Sequence, residues 1–297
     1  MKLGLSHQRP ENLTPEHLLY LKQMGVEAIE VRMPAADYSL QALIAVKEKV
    51  VSADIELHEV MLQDKYSPHS ITLGRTGRDE DINLLQNFVR DLGEAGIRYT
   101  TYAWHTGGVM TTERKDTRGA DSRSFQQKTA EDQPNAYDRV YDEEEMWENY
   151  FYFMERILPV CEEANVRLQL HPNDPPVTHQ GIARIFRDTL SYRRAFETVN
   201  HNPYSTALFC VGTWSEMSGP DGSGEDIEAA IREFGPKGQI SQVHLRNTTS
   251  PMPNFQETFP DDGYLDLFRI VCTLREVGFT GMLTPDHVPD CGDGRGP

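Results

Sequence analysis

Residues 144–176 read EEMWENYFYFMERILPVCEEANVRLQLHPNDPP. Met146, Tyr150, Met154, Ile157 and Cys161 recur at helical spacing. Pro159 lies inside that run, where it is expected to kink the helix. Ala164-Asn165-Val166 then puts a residue that tolerates left-handed backbone just before an apolar one, which closes the helix. The strand Arg167–Leu170 follows, and His171 stands at its end. Helix, left-handed closure, strand and polar strand end together make one repeat of an α/β fold.

The closure recurs at Met24-Gly25-Val26, Ala95-Gly96-Ile97 and Val277-Gly278-Phe279. Eight short apolar runs read as strands: Lys2–Ser6, Ala28–Met33, Ile55–Val60, Tyr99–Trp104, Arg167–Leu170, Ala207–Val211, Ile240–Leu245 and Gly281–Thr284. Amphipathic segments lie between them. Thr14-Pro15 caps the first, ahead of Leu18, Leu21 and Met24, and Ser39 caps the second. Ile82, Leu85, Phe88, Val89 and Leu92 keep helical spacing in another. Strict alternation argues for a parallel sheet with covering helices, and eight strands in 297 residues favour a closed (β/α)8 TIM barrel as a single domain over residues 1–297. A doubly wound sheet would show a Gly-rich first turn, and Ser6-His7-Gln8 is not one.

Two segments depart from the repeat. Residues 106–142, after the fourth strand, are long and polar, and read either as a lid over the mouth or as a loose surface loop. After the eighth strand about a dozen residues remain, too few for the usual eighth helix. The expectation is a barrel lacking that helix, with further chain or a neighbouring molecule covering the gap.

Lys plus Arg number 29 and Asp plus Glu 46, a formal net charge of −17. So acidic a surface repels phosphate backbones and anionic membranes, which argues against both as partners. An anionic small molecule then requires local cations. Four cysteines form no CxxC pair and read as reduced thiols of a cytoplasmic protein. No stretch approaches the roughly 18 apolar residues of a membrane span, and the first residues lack an apolar signal region.

The chemistry gathers in the second half. His171, Cys210, His244 and Asp286 lie at or just past the ends of strands five to eight, 39, 34 and 42 residues apart. Each gap is one βα unit, so a barrel brings all four to its C-terminal mouth. Singly, a strand-end Cys is most often a small core hydrophobe, and a His is most often structural. Together, two imidazoles, a thiolate and a carboxylate make a divalent-metal site. The thiolate alone favours Zn2+; a site that must also hold hydroxyl and carboxylate oxygens suits Mn2+, with Fe2+ and Co2+ as alternatives.

These residues carry a resemblance. The segment from Glu144 to Pro176, then Cys210-Val-Gly212, Phe234-Gly235, Val243-His-Leu-Arg-Asn247, Phe255-Gln-Glu257, Gly263, Asp266 and Pro285-Asp-His287 resemble the mannonate dehydratase family, as do Tyr102 and Trp104. The likeness runs from about residue 99 onward. It implies a metal-dependent lyase, typically with manganese, that converts D-mannonate to 2-keto-3-deoxygluconate, and by family habit a homo-oligomer. It places the metal on His171, Cys210, His244 and Asp286, the catalytic histidine on His287 and the motif arginine on Arg246. Departures are Asn173 for the first Asp of HPDDPP, Thr213 in the stretch after Cys210, Thr284 for an arginine and Pro260 for a histidine. The family's catalytic tyrosine would fall beyond Pro297.

The reaction implied is loss of water from a sugar acid. Arg246 is the candidate to pair its carboxylate. His287 is the candidate acid or base, or else support for the ligand beside it. Tyr102, His105 or His58 would carry the second proton. Asp174 reads as a brace for the His171 loop, and Glu257 as a histidine partner or helix cap. Glu30 and Glu59 read as salt-bridged or solvated carboxylates, and Arg114, Arg118 and Arg123 as an anion lure or solvated charges. A metal-dependent sugar isomerase or epimerase, and a non-catalytic relative that keeps the metal site, are the other readings.

Overall fold

A computed structural model describes residues 1–290. Its strands are β1 (Lys2–Gln8), β2 (Ala28–Met33), β3 (Glu56–Leu62), β4 (Tyr99–Ala103), β5 (Glu113–Thr117), β6 (Ala120–Gln126), β7 (Arg167–His171), β8 (Ser205–Cys210), β9 (Ile240–His244), β10 (Asn247–Thr248), β11 (Asn254–Thr258) and β12 (Met282–Thr284). Its helices are α1 (Pro15–Gln23), α2 (Leu40–Ser52), α3 (His69–Thr72), α4 (Arg78–Glu94), α5 (Gln127–Glu131), α6 (Glu143–Ala164), α7 (Thr189–Thr198), α8 (Val211–Glu216), α9 (Ile227–Phe234) and α10 (Leu267–Glu276). No described helix is long and apolar enough to cross a membrane.

Eight parallel strands close in the order β1-β12-β9-β8-β7-β4-β3-β2. These are the eight strands read from the sequence, with ends shifted by one or two residues. Local chemistry explains the helix ends. Thr14 and Ser39 accept hydrogen bonds from the His17 and Ala42 amides, 3.2 and 3.1 Å away. Asn165 takes a left-handed φ of +52° to close α6, and Gly96 a φ of +70° to close α4. α6 runs unbroken through Pro159. Its buried face (Trp147, Tyr150, Phe153, Ile157) packs beside α4 and under the barrel wall. Each such side chain contributes about 1.5–3 kcal/mol on burial.

The segment 106–142 is neither loose nor a simple flap. It forms the hairpin β5–β6, turned at Arg118 and Gly119 with φ of +53° and +83°. β6 pairs with β11, which pairs with β10, giving a four-stranded antiparallel sheet, β10-β11-β6-β5. That sheet has its own small core, in which Phe125 and Phe255 stack 5.5 Å apart beside Ala130 and Met252. Two excursions, one after β4 and one after β9, are thereby joined across the barrel mouth. Among the described residues no helix follows β12; Asp290 instead bridges to Asp121 in β6. Cys161, Cys210 and Cys272 are free thiols, and Cys291 lies outside the described residues.

Candidate metal centre

Alternation along a strand decides what reaches the mouth. Gln169 and His171 on β7, Leu208 and Cys210 on β8, and Gln242 and His244 on β9 share the inward face, so three of the candidate ligands come to the C-terminal ends of neighbouring strands. Asp286 completes the set two residues after β12, held at φ +65°, a conformation Asp tolerates better than most residues. All four are buried, and one ligand atom from each lies within 4.8 Å of the others.

The donors suit a cation. His171 Nδ1 donates to the Pro172 carbonyl at 2.8 Å, which leaves Nε2 as a lone-pair donor. His244 Nδ1 lies 3.2 Å from Asp286 Oδ1, out of line for a hydrogen bond, and has no other partner. Cys210 Sγ accepts from the Thr213 amide at 3.4 Å and its hydroxyl at 3.2 Å, and Arg246 Nη2 approaches to 3.8 Å. Burial alone would raise the Asp286 carboxyl, but His244, His287 and Arg246 hold it well below the usual range. Burial would lower His244, and Asp286 raises it instead. A carboxylate, a sulfur and an unpartnered imidazole nitrogen facing one point are a fit for a divalent metal.

Beside them sits a cavity of about 120 Å³, lined in part by His105, Tyr66, Arg32, Glu59 and His287. His287 is partly exposed there. Its Nδ1 lies 3.0 Å from Glu257 Oε2 and its Nε2 3.5 Å from Asp286 Oδ2. Burial would lower it, but the Asp286 and Glu257 carboxylates raise it. A larger cleft of about 450 Å³ between α7 and α9 holds none of these residues, and its Arg193 is paired with Glu233.

Behind the candidate metal ligands lies a buried ionic network. Arg246 Nη1 donates to Glu216 Oε1 and Glu257 Oε1, each at 2.8 Å, and Nη2 donates to Asp174 Oδ2 at 2.9 Å and Thr213 Oγ1 at 3.0 Å. Arg123, from β6, donates to Asp174 and, at 2.8 Å, to Glu257 Oε1. Burial pushes the Glu216 carboxyl well above its ordinary range, while the Arg123 and Arg246 guanidiniums hold the Asp174 carboxyl, and with His287 the Glu257 carboxyl, below theirs. Asp174, Glu257 and His287 also lie close enough to hold an ion, but the two arginines already supply that charge.

The sequence expectations divide accordingly. The four expected ligands and His287 come together. Arg246 is corrected: it is 1% exposed, and both its terminal nitrogens are committed to Glu216, Glu257, Asp174 and Thr213, so it does not reach the cavity to pair a carboxylate. Tyr102 is corrected too. It has the wrong strand parity, and its hydroxyl meets Tyr150 Oη at 3.3 Å and Met154 Sδ at 3.4 Å in the wall against α6. His58 stacks on Tyr99, whereas His105 lines the cavity. Glu257 is a histidine partner, but to His287. Arg114 and Arg118 are exposed and paired with Asp121, Asp290 and Asp261, and the anion-lure reading of Arg123 gives way to its buried pairing. Sequence reasoning missed Tyr66, Arg32 and Glu216. For Arg32 the signal was available: it shares the inward parity of Glu30 on β2.

The profile of the D-mannonate dehydratase (UxuA) family matches residues 118–295, more than half of the chain. The chain belongs to the D-mannonate dehydratase family. Proteins named mannonate dehydratase from Thermotoga petrophila and Thermotoga maritima are each 27% identical to it, over 84% of this chain and 78% of theirs. The crystal structure of mannonate dehydratase from Streptococcus suis serotype 2 superposes with a TM-score of 0.84 at 23% identity, covering 99% of this chain and 87% of that one. D-psicose 3-epimerase from Clostridium cellulolyticum H10 shares the barrel, with a TM-score of 0.63 at 15% identity over 98% and 85% of the two chains.

Three positions that depart from the mannonate dehydratase motif have identifiable contacts here. Asn173 Nδ2 donates to the Trp104 carbonyl at 2.8 Å while its Oδ1 accepts from the Phe186 amide at 2.8 Å. An ionised Asp could not donate the first of these bonds. Thr213 supplies the two donors that meet the Cys210 sulfur. Thr284 is buried, and its hydroxyl donates to Ser6 Oγ at 3.3 Å.

Proposed function

We propose that this protein is a metal-dependent hydro-lyase that removes water from D-mannonate to give 2-keto-3-deoxygluconate. The observation that carries the reading is the meeting of the His171, Cys210, His244 and Asp286 ligand atoms within 4.8 Å beside a partly exposed His287, in a chain of this family. Mn2+ is the metal we favour, because the same site has to accept hydroxyl and carboxylate oxygens. Bound among the four ligands, a divalent ion supplies Lewis-acid stabilisation of negative charge developing on substrate oxygens.

The chain's own residues do the rest. The reaction breaks C2–H and C3–O; the proton and hydroxide leave as water, and the resulting enol gives up its C2 hydroxyl proton and takes a proton at C3 to become the keto acid. Glu257 Oε2 lies 3.0 Å from His287 Nδ1, an ion-pair contact that fixes the ring and leaves Nε2 to carry the proton. Arg246 and Arg123 hold Glu257 and Asp174 in place and do not touch substrate. The sheet β10-β11-β6-β5, which delivers Glu257 and Arg123, acts as the cover of the mouth.

Incubating the Mn2+-loaded protein with D-mannonate and assaying for a 2-keto-3-deoxy acid tests the reading. Product that appears with metal and disappears after chelation is expected. Epimerised sugar with no water loss would move the assignment to an epimerase, and product formation indifferent to chelation would remove the metal from it.

A further inference from the structure

A sugar acid brings a full negative charge into a protein of net charge −17, and into a cavity already lined by Glu30, Glu59, Asp174 and Asp286. Something on the chain has to meet that charge. Arg123 and Arg246 are committed to Asp174, Glu216 and Glu257. Arg184 is fully buried and does not line the cavity. Among the described residues that do line it, one is a Lys or Arg: Arg32.

Resting on the sugar-acid reading above, we infer that Arg32 is the group that binds the substrate's carboxylate, and so restricts this site to sugar acids over neutral sugars. The placement follows from β2. Glu30 and Arg32 are two residues apart on one strand and share its inward face. Glu30 is 1% exposed and accepts from Arg32 Nε, so it fixes the plane of the guanidinium. The Nη1–Nη2 edge makes no hydrogen bond within the described residues, and the side chain is 29% exposed on the cavity side. That free edge is the fork that matches two carboxylate oxygens. Electrostatics support it. Burial would raise Glu30, but Arg32 holds its pKa at about 2, while burial and the Glu30 charge push Glu59 to about 8. The carboxylate that orients Arg32 is therefore ionised at neutral pH.

The test uses the metal-loaded enzyme and its Arg32→Met and Arg32→Lys variants. For Arg32→Met, KM for D-mannonate should rise about 10- to 150-fold, the worth of lost charge-assisted hydrogen bonds, with kcat reduced much less. Arg32→Lys should recover part of the KM, and carries the test by itself if Arg32→Met does not fold. Calorimetry adds a readout independent of turnover: D-mannonate binding should weaken in the variants by the same factor, while binding of the neutral polyol D-mannitol should not change. An unchanged KM, or equal losses for acid and polyol, would overturn the role of Arg32. If the wild type turns over no sugar acid, the proposed activity fails, and calorimetry alone decides Arg32: weaker acid binding in Arg32→Met upholds it, and equal binding or none overturns it.

Discussion

Glu257 Oε2 lies 3.0 Å from His287 Nδ1, and the two come from different structures: Glu257 from the small sheet over the mouth, His287 from the barrel's last strand end. The sheet thus positions the His287 ring. Replacing Glu257 with Gln keeps the shape but weakens the acceptor. We expect kcat to fall about 10- to 100-fold, as for other partners of site histidines, with bound metal per chain unchanged. A wild-type kcat in Glu257→Gln would detach the sheet from the chemistry.

Glu257 also gives a pH signature. Burial alone would raise its pKa, but His287, Arg246 and Arg123 hold it at about 2, below the ordinary 4.5. A carboxyl depressed in the folded state stabilises above its unfolded pKa, and loses that contribution as pH falls through the folded value. The stability gap between wild type and Glu257→Gln should therefore be full above about pH 4.5 and shrink towards pH 2. Urea denaturation of metal-free protein across that range measures it, and a gap constant with pH would contradict the assignment.

Within the ionic network the three acids should behave differently. Burial raises the Glu216 carboxyl, so Glu216→Gln should change unfolding free energy by less than about 1 kcal/mol. Asp174→Asn removes a charge that both Arg123 and Arg246 require, and should cost about 3–5 kcal/mol. Denaturant titration compares the two directly, and a Glu216→Gln loss as large as that of Asp174→Asn would mean that Glu216 is ionised.

Gly212 packs against Arg246. A Cβ added there would stand 2.7 Å from both Cβ and Cγ of Arg246, atoms too close to the backbone to swing aside. Gly212→Ala should destabilise the protein by about 1–3 kcal/mol. It should also weaken metal binding, because Arg246 and Cys210 are 3.8 Å apart. Thermal melts with and without metal check both effects, and an Ala variant melting like wild type would refute the packing argument.

Tyr102 provides the negative control. Its hydroxyl is spent on Tyr150 inside the wall, so Tyr102→Phe should leave kcat within about twofold and cost about 1 kcal/mol of stability. A large loss of kcat, measured at saturating D-mannonate, would return Tyr102 to the list of proton carriers.

The barrel was legible because its evidence is local and repeated. Caps at Thr14 and Ser39, closures at Gly96 and Asn165, and apolar runs between them each report on a few neighbouring residues. The convergence of His171, Cys210, His244 and Asp286 was legible because a barrel turns a spacing of one unit into adjacency. Arg246 and Tyr102 were misjudged for one shared reason: a motif position says which residue is present, not which way it faces. For Tyr102, counting strand parity from Thr101 would have shown it facing outward. For Arg246 no count suffices, since its partners Glu216 and Asp174 lie 30 and 72 residues away. The β5–β6 hairpin was hidden by polarity. Its Arg118-Gly119 turn was readable, but nothing along residues 106–142 announces that β11, more than a hundred residues later, supplies the pairing edge.

The pairing of β6 with β11 has a consequence for how such a site can be inherited or transplanted. The excursions after β4 and β9 spring from strands separated by β7 and β8 in the barrel, yet they hydrogen-bond to each other and bury Phe125 against Phe255. Lengthening or trimming either one alone strips its neighbour of a ladder and of half a core. Grafted singly onto another scaffold, neither would keep its shape; the pair has to travel as one cassette, and mutational drift in one is bound to be answered in the other.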